Sequence, residues 1–525
     1  MSSRPAVRGD RSNAARFFAE RGADADVAVV DAAGEHTYAQ LRDAVAVLEA
    51  ALAAEGLREG DRVAILGRNS FFWVAAYLAV IGAGLVAVPC SEKATPADIA
   101  RNLGLGECRA VLADRLAARG FDDALRPLPV IDDAVLDGAA LDGASRNGAV
   151  PAAPGHAVPA ASGRAERVTD PADDAVLMFT SGTTSRPKAV RITHANLMAN
   201  TESIIAYLGL TASDRVLVIL PFYYCYGASL LHTHLRVGGT VVLCNTFAYP
   251  ETAVEQIAAE QCTVLAGVPS SYQLLLRVTT FAQRRLPSLR IVQQAGGKLS
   301  PVLVDELIAA QPHANVFVMY GQTEATARLS YVPPEMLEAK RGSVGKGIPG
   351  VELTVRSATG EPVAVGERGE IYAVGESISP GYLGDREGTA AKFTPYGLRT
   401  GDLAVVDEDG YIFVVDRIDD FIKTWGYRVS SQEVESAALR LAELVSAAAI
   451  GVPDEDAGEA ISLFVTIRPG SDVGPDDVLA HCRSLLAKHM VPASVQILQT
   501  LPLNANGKVD KNALRRAAYA AAGQS

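Results

Sequence analysis

The segment Leu177-Met-Phe-Thr-Ser-Gly-Thr-Thr-Ser-Arg-Pro-Lys188 gathers four hydroxyls, Thr180, Ser181, Thr183 and Thr184, around Gly182, with Lys188 closing the run. An apolar strand feeding such a loop can offer backbone N–H groups and side-chain O–H donors to phosphate oxygens, and a nearby ammonium adds positive charge. The spacing is not that of a Walker loop, because the GxxxxGK pattern is absent, which argues against a P-loop nucleotidase. Taken alone, the segment also reads as an ordinary Ser/Thr-rich turn.

Four further segments follow in order. Met319-Tyr-Gly-Gln-Thr-Glu324 comes after a predicted strand, and Thr400-Gly-Asp402 precedes a predicted hairpin. Asp416-Arg-Ile-Asp-Asp-Phe-Ile-Lys-Thr-Trp-Gly-Tyr-Arg428 opens the last part of the chain, and Leu501-Pro-Leu-Asn-Ala-Asn-Gly-Lys-Val-Asp510 lies near its end. With all five in order, the chain resembles the adenylate-forming superfamily: acyl- and aryl-CoA synthetases, adenylation domains of peptide synthetases, and beetle luciferases. The resemblance covers nearly the whole chain. It implies ATP-dependent conversion of a carboxylic acid to an acyl adenylate, followed by transfer to a thiol.

The resemblance also implies roles. Thr180, Ser181, Gly182, Thr183, Thr184 and Lys188 grip the β- and γ-phosphates; Glu324 holds Mg2+, a hard cation suited to carboxylate oxygen. Thr323 meets the α-phosphate, Tyr320 stacks on adenine beside Gly297 and Gly321, and Asp402 with Arg417 takes the ribose hydroxyls. Lys508 offsets charge as the carboxylate attacks the α-phosphorus. Asp419 is the hinge for a small C-terminal domain, whose other face brings Gly426 and Arg428 to a coenzyme A tunnel. Gly426 also reads as a simple turn glycine. Tyr224 and Gly227 are placed at the acid pocket.

The chain departs from the family pattern at Ser185 and Ala189, where glycine is common, at Tyr224, where many relatives have His, and at Lys298, for which exposure to solvent is expected. Several alternatives stay open beside coenzyme A ligation. One is loading of a carrier-protein phosphopantetheine. Others are a thioesterification-only half-reaction, adenylation of an unusual oxyacid such as nitrite in diazo formation, a non-catalytic nucleotide-binding module, or a luciferase-type oxygenase.

These residues need a scaffold. Short apolar runs such as Asp61 to Leu66, Val216 to Leu220, Thr240 to Leu243, Leu289 to Gln293 and Val316 to Met319 alternate with helical stretches such as Pro250 to Glu260 and Pro301 to Gln311. That alternation predicts an α/β fold with largely parallel sheets. Thr37 reads as the cap of a helix running to Gly56. After about Val344 short alternating strands predict a β-rich subdomain with a hairpin at Asp409-Gly410. The expected organisation is an N-terminal region of two α/β subdomains plus that β-rich one, residues 1–417, and a small mobile α+β lid, residues 418–525. The Ala/Gly/Pro/Ser-rich stretch from Asp137 to Glu166 reads as a surface connection.

Composition narrows the partners. At 525 residues the chain is too long for one core, and its net charge of −12 without a basic stripe argues against nucleic acid. Phe71 to Pro89 is apolar enough to raise the question of a membrane span, but Gly82, Gly84 and Pro89 break it into a buried helix and strand. The N-terminus lacks an apolar secretory core. Cys90, Cys108, Cys225, Cys244, Cys262 and Cys482 form no CxxC pair and read as small buried residues in a reducing cytoplasm. His232 and His234 read as structural.

Overall fold

The computed structural model describes residues 12–137, 169–180, 187–417, 421–504 and 507–521. Almost all of the expected surface connection, most of the hydroxyl loop (Ser181, Gly182, Thr183, Thr184 and Ser185) and the hinge position Asp419 lie outside the described residues.

A nine-stranded sheet forms the centre. Its inner strands Asn315–Tyr320, Ile291–Gln294, Val264–Gly267, Arg215–Val218, Thr240–Leu243 and Val27–Asp31 run parallel. Their sequences are nearly continuous apolar runs because helices cover both faces. A seven-stranded sheet contains Arg62–Leu66, Val86–Cys90 and Cys108–Ala113 in parallel, and Asp174–Thr180 paired antiparallel with Lys188–Thr193. The expected strands are present, with ends displaced by one to a few residues where caps and turns decide the boundary.

Helices fill the space between these sheets. Phe71–Gly82 is apolar all round and buried from Phe71 to Ile81, started by Ser70, whose hydroxyl accepts from the Trp73 N–H at 3.1 Å. Such a helix needs a wholly apolar surround, and it has one: it shares a core with Ala14–Ala19, Tyr38–Ala54 and Cys225–Val237. Among the described residues no helix is long and apolar enough to cross a membrane. Thr37 caps Tyr38–Ala54 reciprocally: Gln40 N–H donates to its hydroxyl at 3.2 Å and its own N–H donates to the Gln40 amide oxygen at 2.8 Å.

His232 lies in the same core, stacked 4.5 Å from Phe18, with the Tyr77 hydroxyl 2.9 Å from Nε2. Burial holds its pKa down to about 3, and those of His194 and His234 to about 4. They are neutral structural residues.

The β-rich unit is an antiparallel sheet of Val351–Arg356, Gly369–Gly375, Gly397–Val406, Phe393–Thr394 and Ile412–Arg417. Its hairpin at Asp409-Gly410 sets Asp402 directly opposite Arg417. A last five-stranded sheet, carrying Leu444–Asp454 and Gly458–Ile467, packs with Ser431–Ala438 and Pro475–Leu485 to form the C-terminal unit.

Candidate active site

The parallel strands of the central sheet deliver their C-terminal ends to one crevice, the usual ligand position in open α/β sheets. Beyond Asn315–Tyr320 the chain folds back, so that Leu329 N–H donates to Tyr320 O at 2.8 Å. A Cβ on Gly321 would stand 2.0 Å from Ala327 O and 2.9 Å from the Arg328 Cα, so the hairpin-like return requires glycine there. Thr326, buried and β-branched, holds φ 65° and ψ −58° in this loop, with its hydroxyl donating to Ser377 O at 2.7 Å. Strain of that kind is tolerated where neighbours over-determine the conformation.

Gly296, Gly297, Tyr320, Gly321, Asp402, Arg417 and Lys508 line one cavity. A groove of about 760 Å3, shared with the C-terminal unit, adjoins it through Gly296, Gly297, Arg417 and Lys508. Asp402 is 5% exposed; it accepts from the Tyr320 hydroxyl at 2.5 Å, and its other oxygen lies 3.3 Å from Arg417 Nε. Burial and the Asp402 carboxylate together push the Tyr320 hydroxyl well above its ordinary pKa, so it stays a donor.

Glu324 lies 9% exposed in a short turn, and the Tyr382 hydroxyl donates to its Oε1 at 2.7 Å. Lys188 reaches the same corner, 3.2 Å from Asp385 and 4.6 Å above the Tyr382 ring. Lys392 donates to Thr400 O at 2.9 Å; burial lowers its pKa, while the negative charges of Glu324 and Asp402 oppose that shift. One buried carboxylate, with the site otherwise offering hydroxyls, fits a cation that keeps most of its ligands as water and phosphate. No cluster of three or more His, Cys, Asp or Glu side chains suited to a metal occurs among the described residues.

Lys508 arrives from the C-terminal unit. Asn504 N–H donates to Lys508 O at 2.7 Å, Lys508 N–H returns to Asn504 Oδ1 at 3.1 Å, and Ser270 Oγ of the large unit donates to Gly507 O at 2.5 Å. This clasp puts Nζ 5.3 Å from the centre of the Tyr224 ring. Tyr224 precedes the helix Cys225–Val237, and Gly227 is buried in that helix's first turn against Pro221 O.

The structure therefore brings together the residues expected at adenosine, the residues expected at the acid doorway, and Lys508. It brings neither Gly426 nor Arg428 to the cavity: both are exposed, Gly426 at the turn between Ile422–Thr424 and Tyr427–Val429 and Arg428 within the latter strand. Gly426 has φ +76° with no atom within 4 Å of an added Cβ, so the turn by itself requires glycine. Thr180 and Ala189 lie in the paired strands flanking the hydroxyl loop. Lys298 is exposed, as expected, yet its ammonium donates to Val414 O at 3.1 Å and so ties the crevice to the β-rich unit.

Sequence reasoning missed Tyr382 and Lys392, which carry no motif of their own. The six cysteines were read as small buried residues. All are free and buried, but the Cys225 thiol lies 3.5 Å from the Thr323 hydroxyl, inside the site.

Fold and site together define a nucleotide-binding enzyme whose crevice is completed by a lysine from a separate C-terminal unit. The AMP-binding enzyme family matches residues 17–383, and the AMP-binding enzyme C-terminal domain matches residues 433–508. A methyl-dioxo-octahydro-indenyl-propanoyl:CoA ligase of Rhodococcus jostii (strain RHA1) is 32% identical over 517 residues, covering 96% of each chain. Feruloyl-CoA synthase of Amycolatopsis sp is 34% identical over 493 residues, 91% of this chain and 93% of the relative. The crystal structure of ATP-bound MatB from Rhodopseudomonas palustris superposes with a TM-score of 0.83 at 28% identity, covering 97% of this chain and 99% of that one. The chain belongs to the AMP-binding enzyme family. It is an AMP-forming acid–thiol ligase of the acyl-CoA synthetase type.

Proposed function

We propose that the protein activates a small carboxylic acid with ATP and passes the acyl group to coenzyme A, in two steps at one crevice. A free carboxylate is a poor acyl donor because its leaving group would be oxide. Joining it to AMP supplies a phosphate leaving group.

In the first step the carboxylate attacks the α-phosphorus in line, and catalysis is mainly positioning and charge stabilisation. Tyr320 and Gly297 bound the adenine, with Gly321 allowing the close return of the chain beyond Tyr320. Asp402 and Arg417 hold the ribose, and Thr323 donates to the α-phosphate. Thr180 to Thr184 and Lys188 guide pyrophosphate. Glu324, held by Tyr382, supplies the carboxylate for Mg2+, which neutralises phosphate charge when bound. Lys508 balances the charge gathering between carboxylate and phosphate. In the second step the thiolate attacks the adenylate carbonyl and AMP leaves. For it the unit beyond residue 417 turns about Asp419, withdrawing Lys508 and presenting Gly426 and Arg428 to the pantetheine arm.

The observation that carries this reading is Lys508 itself. A lysine on a separate unit is clasped by Ser270 beside Tyr224, within one cavity with Asp402 and Tyr320. Six free cysteines suit a cytoplasmic setting. The test is pyrophosphate release from ATP across a panel of acids, with and without coenzyme A, and with a phosphopantetheinyl carrier protein as the rival acceptor. Acid-dependent pyrophosphate release with thioester formed only on coenzyme A is expected. Transfer to the carrier alone overturns the choice of thiol, and release with no acid requirement overturns the reading.

A further inference from the structure

Behind the crevice lies a buried cation that pairs with no carboxylate among the described residues. Arg328, four residues past Glu324, is 1% exposed, and its Nε and Nη2 have no hydrogen-bond partner. Its guanidinium carbon lies 3.9 Å above the Tyr226 ring, and a second phenol, Tyr207, lies nearby with its hydroxyl donating to Met319 Sδ at 2.9 Å. Neither neighbour is an anion. Among the described residues the other two buried arginines each have an acid: Arg236 meets Glu20 and Glu202, and Arg277 meets Glu306.

A second unpartnered group faces the same layer. On the strand Ile291–Gln294 side chains alternate between faces, and Ile291 packs in the core with Tyr226 while Val292 packs on the other side. Gln293 therefore points toward Tyr226. It is 1% exposed, and both its amide oxygen and its amide nitrogen lack partners. Tyr226 joins the two groups, since its ring carries Arg328 and its hydroxyl donates to Gln293 O at 2.8 Å. Burying an uncompensated charge and an unsatisfied amide is costly, and proteins keep such groups where a ligand completes them.

The cluster is next to the reacting atoms. Tyr226 follows Cys225, whose thiol meets Thr323, and the Arg328 Cα is the backbone that bars a side chain at Gly321. A carboxylate placed between Lys508 and Thr323 would direct the rest of its molecule along Cys225 and Tyr226.

We propose that the acid activated here is a dicarboxylic acid, whose second carboxylate is taken by the free edge of the Arg328 guanidinium with the Gln293 amide alongside. The inference rests on the acid-ligase reading above. A planar fork suits a carboxylate's two oxygens, and the Tyr226 ring fixes the plane of that fork. Arg328 is thus a specificity-determining residue, and Gln293 supports it.

The test uses non-hydrolysable acyl-sulfamoyl adenosines in matched pairs, one ending in a carboxylate and one in a methyl group, over a series of chain lengths, with binding measured by calorimetry. Wild type is expected to prefer the carboxylate member of one pair by about 100-fold, the scale for a buried charged partner. Arg328→Met should erase that preference while leaving the methyl member bound as before, and Arg328→Lys should restore only part of it. A purely structural arginine would weaken both members together and leave the ratio unmoved. Equal binding of both members by wild type overturns the proposal without any variant and leaves the acid-ligase reading intact. Failure of wild type to bind either member at any length overturns both.

Discussion

Lys508→Ala should separate the two half-reactions. An ammonium about 4 Å from an oxyanion at an effective dielectric of about 20 is worth about 4 kcal/mol. Removing one preorganised group aimed at developing charge costs about 100- to 1,000-fold in rate in comparable sites. The clasp from Ser270 to Gly507 and the Asn504–Lys508 turn make Lys508 preorganised, so the upper part of that range is expected. Tyr224 only steers the ammonium through its ring, so Tyr224→Leu should cost much less, about threefold.

The assay is single-turnover. Adenylation is followed as ATP–pyrophosphate exchange with a competent acid, and thioester formation is followed from chemically prepared acyl adenylate and coenzyme A. Lys508→Ala should lose the first by about 1,000-fold and keep the second within a few-fold. Equal loss of both rates would refute the assignment, because a residue that only stabilises the fold, or only binds AMP, affects both steps alike.

Three further outcomes follow from the geometry. Tyr382→Phe removes the hydroxyl that orients Glu324, and a hydrogen bond to a charged group is worth about 1.5–3 kcal/mol, so the Mg2+ concentration needed for half-maximal exchange should rise about tenfold or more. An unchanged Mg2+ titration would contradict the role of Glu324. Gly321→Ala forces a methyl against the Ala327 and Arg328 backbone, and ATP affinity measured by calorimetry should fall by about 1–3 kcal/mol. On acidification, buried neutral His194, His232 and His234 bind fewer protons folded than unfolded. Their contribution is complete above the unfolded value of 6.5 and is lost as pH falls towards the folded values of about 4, about 3 and about 4. At about pH 5.5 each costs about 1.4 kcal/mol, so the denaturation midpoint should drop from neutral pH to about pH 5.5 and drop less in His232→Gln.

Much of the scaffold was legible because it is written in periodicity. The inner strands are apolar runs of four to six residues, and Phe71–Gly82 is apolar on every face, so both announce burial. The Asp402–Arg417 pairing was legible as a resemblance, and the hairpin at Asp409-Gly410 explains it, since the register places the two side by side. Tyr382, Lys392 and Arg328 were not legible. Each acts through a contact across long sequence separation, Tyr382 with Glu324 and Arg328 with Tyr226, and no local pattern encodes such a meeting. Cys225 is buried as read, but its place beside the Thr323 hydroxyl was not legible, because a buried cysteine looks the same in sequence whatever its thiol meets.

On the rotation proposed above, the C-terminal unit must both hold this arrangement and leave it, and Arg277 would let one residue serve both ends. It belongs to the large unit, on the helix Pro269–Val278, and its guanidinium donates to Ala442 O at 2.7 Å and Leu444 O at 3.1 Å of the C-terminal unit. Those two bonds tie the C-terminal unit that carries Lys508 to the large unit. Were they its only partners, releasing the lid would strand a buried cation, at a cost of about 3–5 kcal/mol. Glu306, on the neighbouring helix of the same large unit, pairs with the guanidinium through Nε at 2.9 Å and through Nη2, and that pair lies wholly within the large unit. The charge stays compensated when the lid departs, so only two carbonyl contacts and the packing beneath them have to be given up. The same arrangement is missing at Arg328, which has no acid among the described residues, and that contrast is what the proposed lid motion and the proposed ligand site would respectively explain.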